Sequence, residues 1–243
     1  MDRPREDREG VSLNFACRAF YGSLVGAIRL YRRAFLDLHV WGRERIPAGP
    51  KIFVTNHVAS TDPYWVLPEF GTPVHIIIGP GYQSRFMGWI LDRFEQINAM
   101  PAMRRLVVPK AVEYLRRGDS VYTAPEGDLQ DPFELGRFYP GVGRIYRRSR
   151  APIIPIALLC PRSVMRDYPR MAVKVEDRVY RGVGALRGTF CINIGEPFAP
   201  AIREELSEDE DARRIADELR ARVQALVFEI RAQLLPGVDW TTP

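Results

Sequence analysis

Short runs of aliphatic and β-branched residues, separated by stretches of helical character, constrain this chain more than any other feature. Lys51–Thr55, Val74–Ile78, Ser120–Thr123, Pro152–Leu159 and Thr189–Ile194 read as buried strands, most of them bounded by Gly, Pro, Asn or Asp. Leu38–Trp41 and Val173–Val175 are shorter candidates. Between them lie helical segments. One follows Asp62 and Pro63 through YWVLPEF, with Pro68 ending or kinking it; another runs from Ser84 to Leu91. A third covers Met103–Arg117 and stops at Gly118, with Pro109 dividing a loop from the true helix start. The last spans 207–235: Ser207 and Glu210 form a capping box, and Ile215, Leu219, Leu226, Ile230 and Leu234 mark one face. Strands alternating with helices argue an α/β fold. With 243 residues the chain can build one sizeable core.

The N-terminal segment is set apart. The stretch Leu13–Leu36 contains no acid. Projected at 100° per residue, Asn14, Arg18, Arg29, Arg32 and Arg33 gather on one narrow side, and Phe20, Leu24, Val25, Ala27 and Ile28 cover much of the rest. Such a helix lies in a membrane interface or covers a hydrophobic sheet. Gly22 and Gly26 permit a bend or a break into a hairpin. We therefore divide the chain into a tail and membrane-surface helix, 1–36, and a folded domain, 37–243. The preceding MDRPREDREG is too charged for a secretory signal, and no apolar run of about eighteen residues suggests a spanning helix. A formal net charge of +5 suits an anionic surface or a phosphorylated ligand. No aromatic-and-basic platform for nucleic acid is visible. The expected location is the cytoplasmic face of a membrane, peripheral and monotopic. Cys17, Cys160 and Cys191 suggest neither a disulfide framework nor a thiolate metal site.

The chemistry concentrates in VTNHVASTDP, residues 54–63. A histidine acts as a base near neutral pH when an aspartate fixes its tautomer. On one straight helix, residues five apart point about 140° away from each other. His57 and Asp62 therefore meet only if His57 sits in a turn after the strand and Asp62 opens the following helix. Asn56 can pin that turn. The competing reading is a helix start that Asp62 merely caps. His39 and His75 lie in separate strand-like segments and read as structural. SVYTAPEG, from Ser120, ends another strand in a tight turn that carries Glu126 and Gly127. Catalytic groups cluster at the carboxyl ends of sheet strands, and both His57 and Glu126 are placed that way.

NH(x)4D, followed by PEG and then by APIIPIAL, resembles the phospholipid and glycerolipid acyltransferase family, whose best-known members acylate lysophosphatidic acid. FMGWILDRF from Phe86, FYPGVGRIYRRSRAPIIPI from Phe138 and INIGEPF from Ile192 extend the likeness from about Leu38 to Pro200. The resemblance implies a mixed, mostly parallel sheet flanked by helices. It implies transfer of a fatty acyl group from an acyl thioester, on coenzyme A or acyl carrier protein, to a hydroxyl, with no bound cofactor and no metal. His57 is then the base, Asp62 its orienter, and Asn56, Glu126 and Gly127 shape the acceptor site. Two departures stand out. No arginine occurs near Met100 and Pro101, and PEG continues with Asp128 and Leu129 where the family usually has Thr-Arg. A phosphate is held by close guanidinium groups, so this paired absence predicts an acceptor whose polar group is not read in the usual way. Arg104, Arg105, Arg137 and Arg144 are the nearby replacements. Arg144, Arg147, Arg148 and Arg150 together form a basic run that could meet coenzyme A phosphates or lipid headgroups. Two alternatives remain: a 1-acylglycerol-3-phosphate acyltransferase, and a lipid-binding protein without turnover, which would have no need of an oriented base.

Overall fold

Ile52 and Val54 belong to one hydrophobic cluster, and Phe53, between them, to another. All three are fully buried, so the strand carrying them needs cover on both faces. The computed structural model, which describes residues 15–242, provides it. In chain order the elements are α1 (Phe15–Phe35), β1 (Leu36–Trp41), β2 (Ile52–Thr55), α2 (Asp62–Val66), β3 (Val74–Ile78), α3 (Arg85–Arg93), β4 (Ile97–Asn98), α4 (Arg104–Arg116) and β5 (Ser120–Thr123). Then come α5 (Gly141–Ser149), β6 (Ile153–Leu159), β7 (Arg166–Asp167), β8 (Val173–Val175), β9 (Arg178–Tyr180), β10 (Val183–Gly184), β11 (Gly188–Ile194) and α6 (Glu208–Glu229).

Seven strands form the main sheet in the order β1-β11-β6-β2-β5-β3-β4. Strands β2 to β6 are mutually parallel; β11 runs antiparallel to β6, and β1 parallel to β11. The sheet is thus mixed and mostly parallel, with helices on both faces. On one side Val112 and Leu115 of α4, Val142 and Ile145 of α5, and Ile215, Leu219 and Val223 of α6 pack on Ile52, Val54 and Val121. On the other, Ile28 of α1 and Trp65 and Val66 of α2 pack on Phe53, Tyr122 and Ile154. The strand directions place the carboxyl ends of β2, β3, β4, β5 and β6 on one edge. Because β1 runs opposite to β6, its first residue, Leu36, lies on that same edge, and α1 ends there too.

Some expectations change. The helix expected to begin after Pro109 begins at Arg104 and contains Pro109. The carbonyl left without an intrahelical donor is that of Arg105, in an exposed turn where water can serve it. Val173–Val175 is a strand, but it pairs with β9 in a hairpin outside the main sheet. The C-terminal helix continues beyond Glu229 as a wider π-turn, Ile230–Leu234. Helix α1 passes through Gly22 and Gly26 unbroken. Its arginines are not one solvent-facing stripe. Arg32 is buried, donates to Trp65 O at 3.0 Å and pairs with Glu69. Arg29 donates to Pro68 O at 3.2 Å. A guanidinium long enough to bridge two helices satisfies carbonyls left unpaired at the end of α2 and in the turn that follows it. Arg33 remains exposed, and Asn14 lies outside the described residues.

Candidate active site

The hydrogen-bonded register between β2 and β6 ends at Thr55 and Ile156. Asn56 extends the tie by side chain: its Nδ2 donates to Leu158 O at 2.9 Å, and Leu158 N donates to its Oδ1 at 2.7 Å. The amide is committed to the backbone, so Asn56 fixes where the turn leaves the sheet. His57 follows. Its N–H donates to Glu126 Oε2 at 2.6 Å, and its carbonyl accepts from Gln130 N at 2.9 Å. The next three N–H groups are engaged as well. Val58 N and Ala59 N donate to Asp62 Oδ2 at 2.8 and 2.9 Å, and Ser60 N donates to Val183 O at 2.7 Å.

His57 Nδ1 lies 3.0 Å from the same Asp62 Oδ2. The tautomer follows from this geometry. An oxygen already accepting two backbone N–H groups is an acceptor toward the ring, so Nδ1 carries the hydrogen and Nε2 the lone pair. Asp62 is fully buried as the first residue of α2, whose cap is Thr61. Its second oxygen, Oδ1, is buried and takes no hydrogen bond among the described residues. The His57 ring is partly open to solvent. A buried, oriented carboxylate behind a solvent-reaching imidazole is the arrangement of a general base.

Glu126 arrives from the end of β5. It is buried, and its Oε1 accepts from Gly136 N at 2.7 Å. Burial pushes its carboxyl up to about 7, against the two N–H donors that hold it ionised. Glu126 therefore joins the His57 turn to the loop before α5. Gly127 adopts φ 69°, and a Cβ there would come within 3.2 Å of the Tyr139 ring.

Four segments meet here, and one of them was missed in the sequence. The chain from Arg178 to Ala185 crosses the turn. Arg178 Nη2 donates to Asp128 Oδ2 at 2.6 Å, Val183 N donates to Ser60 Oγ at 3.3 Å, and Ala185 N donates to Thr61 Oγ1 at 3.2 Å. These partners are fifty or more residues apart in sequence, and no local spacing signals them. Asp128 is accordingly no bare charge beside the PEG turn. Arg137 is exposed next to Gly136, and Arg104 and Arg105 are exposed on the first turn of α4. Arg144 instead donates to Asp209 at 3.0 Å. The rest of its run is also engaged by acids on or just before α6: Arg147 with Asp211, Arg148 with Glu208 at 2.7 Å, and Arg150 with Glu204 at 3.7 Å. The basic run thus ties α5 to α6. His39 pairs with Asp37, and buried His75 lies 2.9 Å from Glu95 O; both stand apart from this turn.

Comparison with known proteins agrees with the geometry. The sequence model of the Acyltransferase family matches residues 37–159. Two chloroplastic 1-acyl-sn-glycerol-3-phosphate acyltransferases, from Arabidopsis thaliana and Brassica napus, are each 26% identical over 156 residues; the match takes 60% of this chain and 42% and 43% of theirs. The chain thus spans less than half the length of these curated relatives. The crystal structure of the 1-acyl-sn-glycerophosphate (LPA) acyltransferase from Thermotoga maritima superposes with a TM-score of 0.63 at 20% identity, over 92% of this chain and 84% of that one. At that identity the likeness is one of fold.

Proposed function

The chain belongs to the acyltransferase family, and on that premise we propose that it moves a fatty acyl group from an acyl thioester, on coenzyme A or acyl carrier protein, to a hydroxyl of a lipid or lipid-like acceptor. The observation that carries this is the single oxygen Asp62 Oδ2, shared by His57 Nδ1 and two backbone N–H groups. It leaves Nε2 free to take the acceptor's hydroxyl proton as the oxygen attacks the thioester carbonyl. The tetrahedral intermediate then collapses, the C–S bond breaks, and the imidazolium returns its proton to the departing sulfur. An ester and a free thiol result, with no covalent link to the protein. Glu126 and Gly127 act by holding the His57 turn, and Arg137, exposed beside Gly136 and without an ion-pair partner among the described residues, is offered to an acceptor's polar group. The acceptor comes from a membrane on which the protein rests peripherally, at the cytoplasmic face, with α1 against the lipid. No described helix is long and apolar enough to cross a bilayer.

A second reading narrows the acceptor to a 1-acylglycerol 3-phosphate. The names of the two plant relatives support it, and so does the ion pair with Arg178, which removes the repulsion Asp128 would otherwise offer a phosphate. Thiol release with an acyl thioester separates the possibilities. His57→Ala should abolish acceptor-dependent release while the melting temperature holds; near-normal rates in that folded variant would refute the assignment. Faster, saturable transfer to lysophosphatidic acid than to phosphate-free lipid alcohols decides for the second reading.

A further inference from the structure

The catalytic turn leaves the sheet at the carboxyl edge, and so does a surface that the chemistry above does not use. Helix α3 leaves β3 on this edge, and α4 leaves β4 there. On α3, Phe86 is 69% and Trp89 66% exposed, and Met87 is exposed beside them. Phe86 and Trp89 are three residues apart and share a helix face, with Arg85 one turn before Trp89. Leu106, on the first turn of α4, adds to the apolar surface. Of the four tryptophans, Trp65 and Trp240 are buried and Trp41 is only partly exposed. Exposing the largest aromatic side chain on a helix face has a cost that a soluble surface does not explain.

The exposed charges around this patch are mostly basic. Arg85, Arg104 and Arg105 are exposed, and none has an ion-pair partner among the described residues. The one acid of α3, Asp92, is hydrogen-bonded to Tyr82. The patch also continues onto α1. Phe20 stacks on Phe94, just past α3, with ring centroids 4.7 Å apart, and the outer face of α1 shows Ala27, Leu30 and Ala34 to solvent without an acid. Tryptophan and phenylalanine rimmed by arginines match an anionic lipid interface, where rings sit at headgroup depth and guanidinium groups meet phosphates.

We propose that α3 and the first turn of α4 form a second membrane-seating element, in which Phe86, Met87 and Trp89 enter the interface of an anionic bilayer and Arg85, Arg104 and Arg105 contact its phosphates. This rests on the proposed function only in naming a bilayer as the source of the acceptor. Seated so, the edge bearing His57 faces the lipid, and an acyl chain reaches the base without first leaving the membrane.

Trp89 supplies its own probe. Full-length protein is mixed with vesicles of phosphatidylcholine and phosphatidylglycerol, with and without brominated chains. The expected result is a blue-shifted emission that bromine quenches, with both effects lost in Trp89→Phe although binding persists. Co-sedimentation should show at least a tenfold weaker partition for the Phe86→Ser, Trp89→Ser pair. Reversal of Arg85, Arg104 and Arg105 to Glu should weaken binding most at low salt. Phe228→Ser alters an aromatic that is 62% exposed on α6, which packs over β6 and β11 rather than over β3 and β4, and should bind as wild type. Unquenched Trp89, equal binding by the serine pair, or an equal loss from Phe228→Ser overturns the proposal. So does a Trp89 response to an acidic carrier protein with none to vesicles. The binding readout is independent of turnover, so an active His57→Ala protein would remove the catalytic assignment and leave this result standing.

Discussion

Replacing Glu126 with Gln tests the site at its least visible point. The carboxylate accepts two backbone N–H groups, His57 N at 2.6 Å and Gly136 N at 2.7 Å. An amide has one acceptor oxygen, so in either orientation its NH2 faces one of these donors. A buried donor without an acceptor costs about 1–3 kcal/mol. A second effect depends on pH and has the opposite sign. Burial raises the Glu126 carboxyl from an ordinary 4.5 to about 7, so the folded protein binds the proton more tightly than the unfolded chain. The associated stability is fully present below pH 4.5 and is lost as pH rises through 7. A shift of this size corresponds to roughly 3 kcal/mol. Glutamine cannot titrate. Urea unfolding of both proteins at pH 5, 6, 7 and 8 should therefore show wild type clearly more stable at pH 5, with the gap closing by about 2–3 kcal/mol by pH 8. Taking the difference cancels the other titrating groups that the two proteins share. Parallel curves across the range would refute both the perturbed carboxyl and the cause given for it. The rate should fall in the variant at every pH, because the His57 backbone loses its anchor.

Other outcomes follow from single contacts. Asp62→Asn keeps an oxygen for Val58 N and Ala59 N but removes the charge that orients the ring, so turnover should drop about 10²–10⁴-fold, measured by steady-state thiol release; its NH2 takes the place of the buried, unpartnered Oδ1, so stability should fall by about 1–3 kcal/mol in a protein that still folds. Arg32→Met leaves Glu69 with Arg43 as its one ion-pair partner among the described residues, and a loss of about 3 kcal/mol is expected in chemical denaturation, the low end for breaking a buried pair. Gly127→Ala forces a side chain into φ 69° and against the Tyr139 ring, which should cost about 1–3 kcal/mol and lower turnover more than His57-independent thioester binding.

What the chain shows in one dimension depends on how far apart the partners lie. Val74–Ile78 and Ser120–Thr123 are strands to the residue, because buried parallel strands are continuous apolar runs with sharp punctuation. Strand β4 has two residues, Ile97 and Asn98, too few to make a pattern. The His57–Asp62 contact was readable because both partners belong to one strand, turn and helix. The work of Glu126 was not, since its two donors come from His57, before β3, and Gly136, after β5. Arg32 misled for a related reason. Helical projection groups it with Arg29 and Arg33, but its place is decided by Glu69, thirty-seven residues on. The arginines of α5 form a cluster in the sequence, but the acids that match them sit on or just before α6.

The turn that carries His57 has no regular secondary structure, yet its amides from His57 to Ser60 are each engaged by Glu126, Asp62 or Val183. Breaking any one of these bonds means shifting a segment that is itself rooted in the sheet. Local opening is therefore suppressed, and the amides should exchange with deuterium on the timescale of the neighbouring strands, far slower than an ordinary loop. Heat should then find no early stage at which the base is lost while the fold survives. Inactivation and unfolding become a single event, and a preparation that has lost half its activity contains half native molecules rather than a full population of impaired ones.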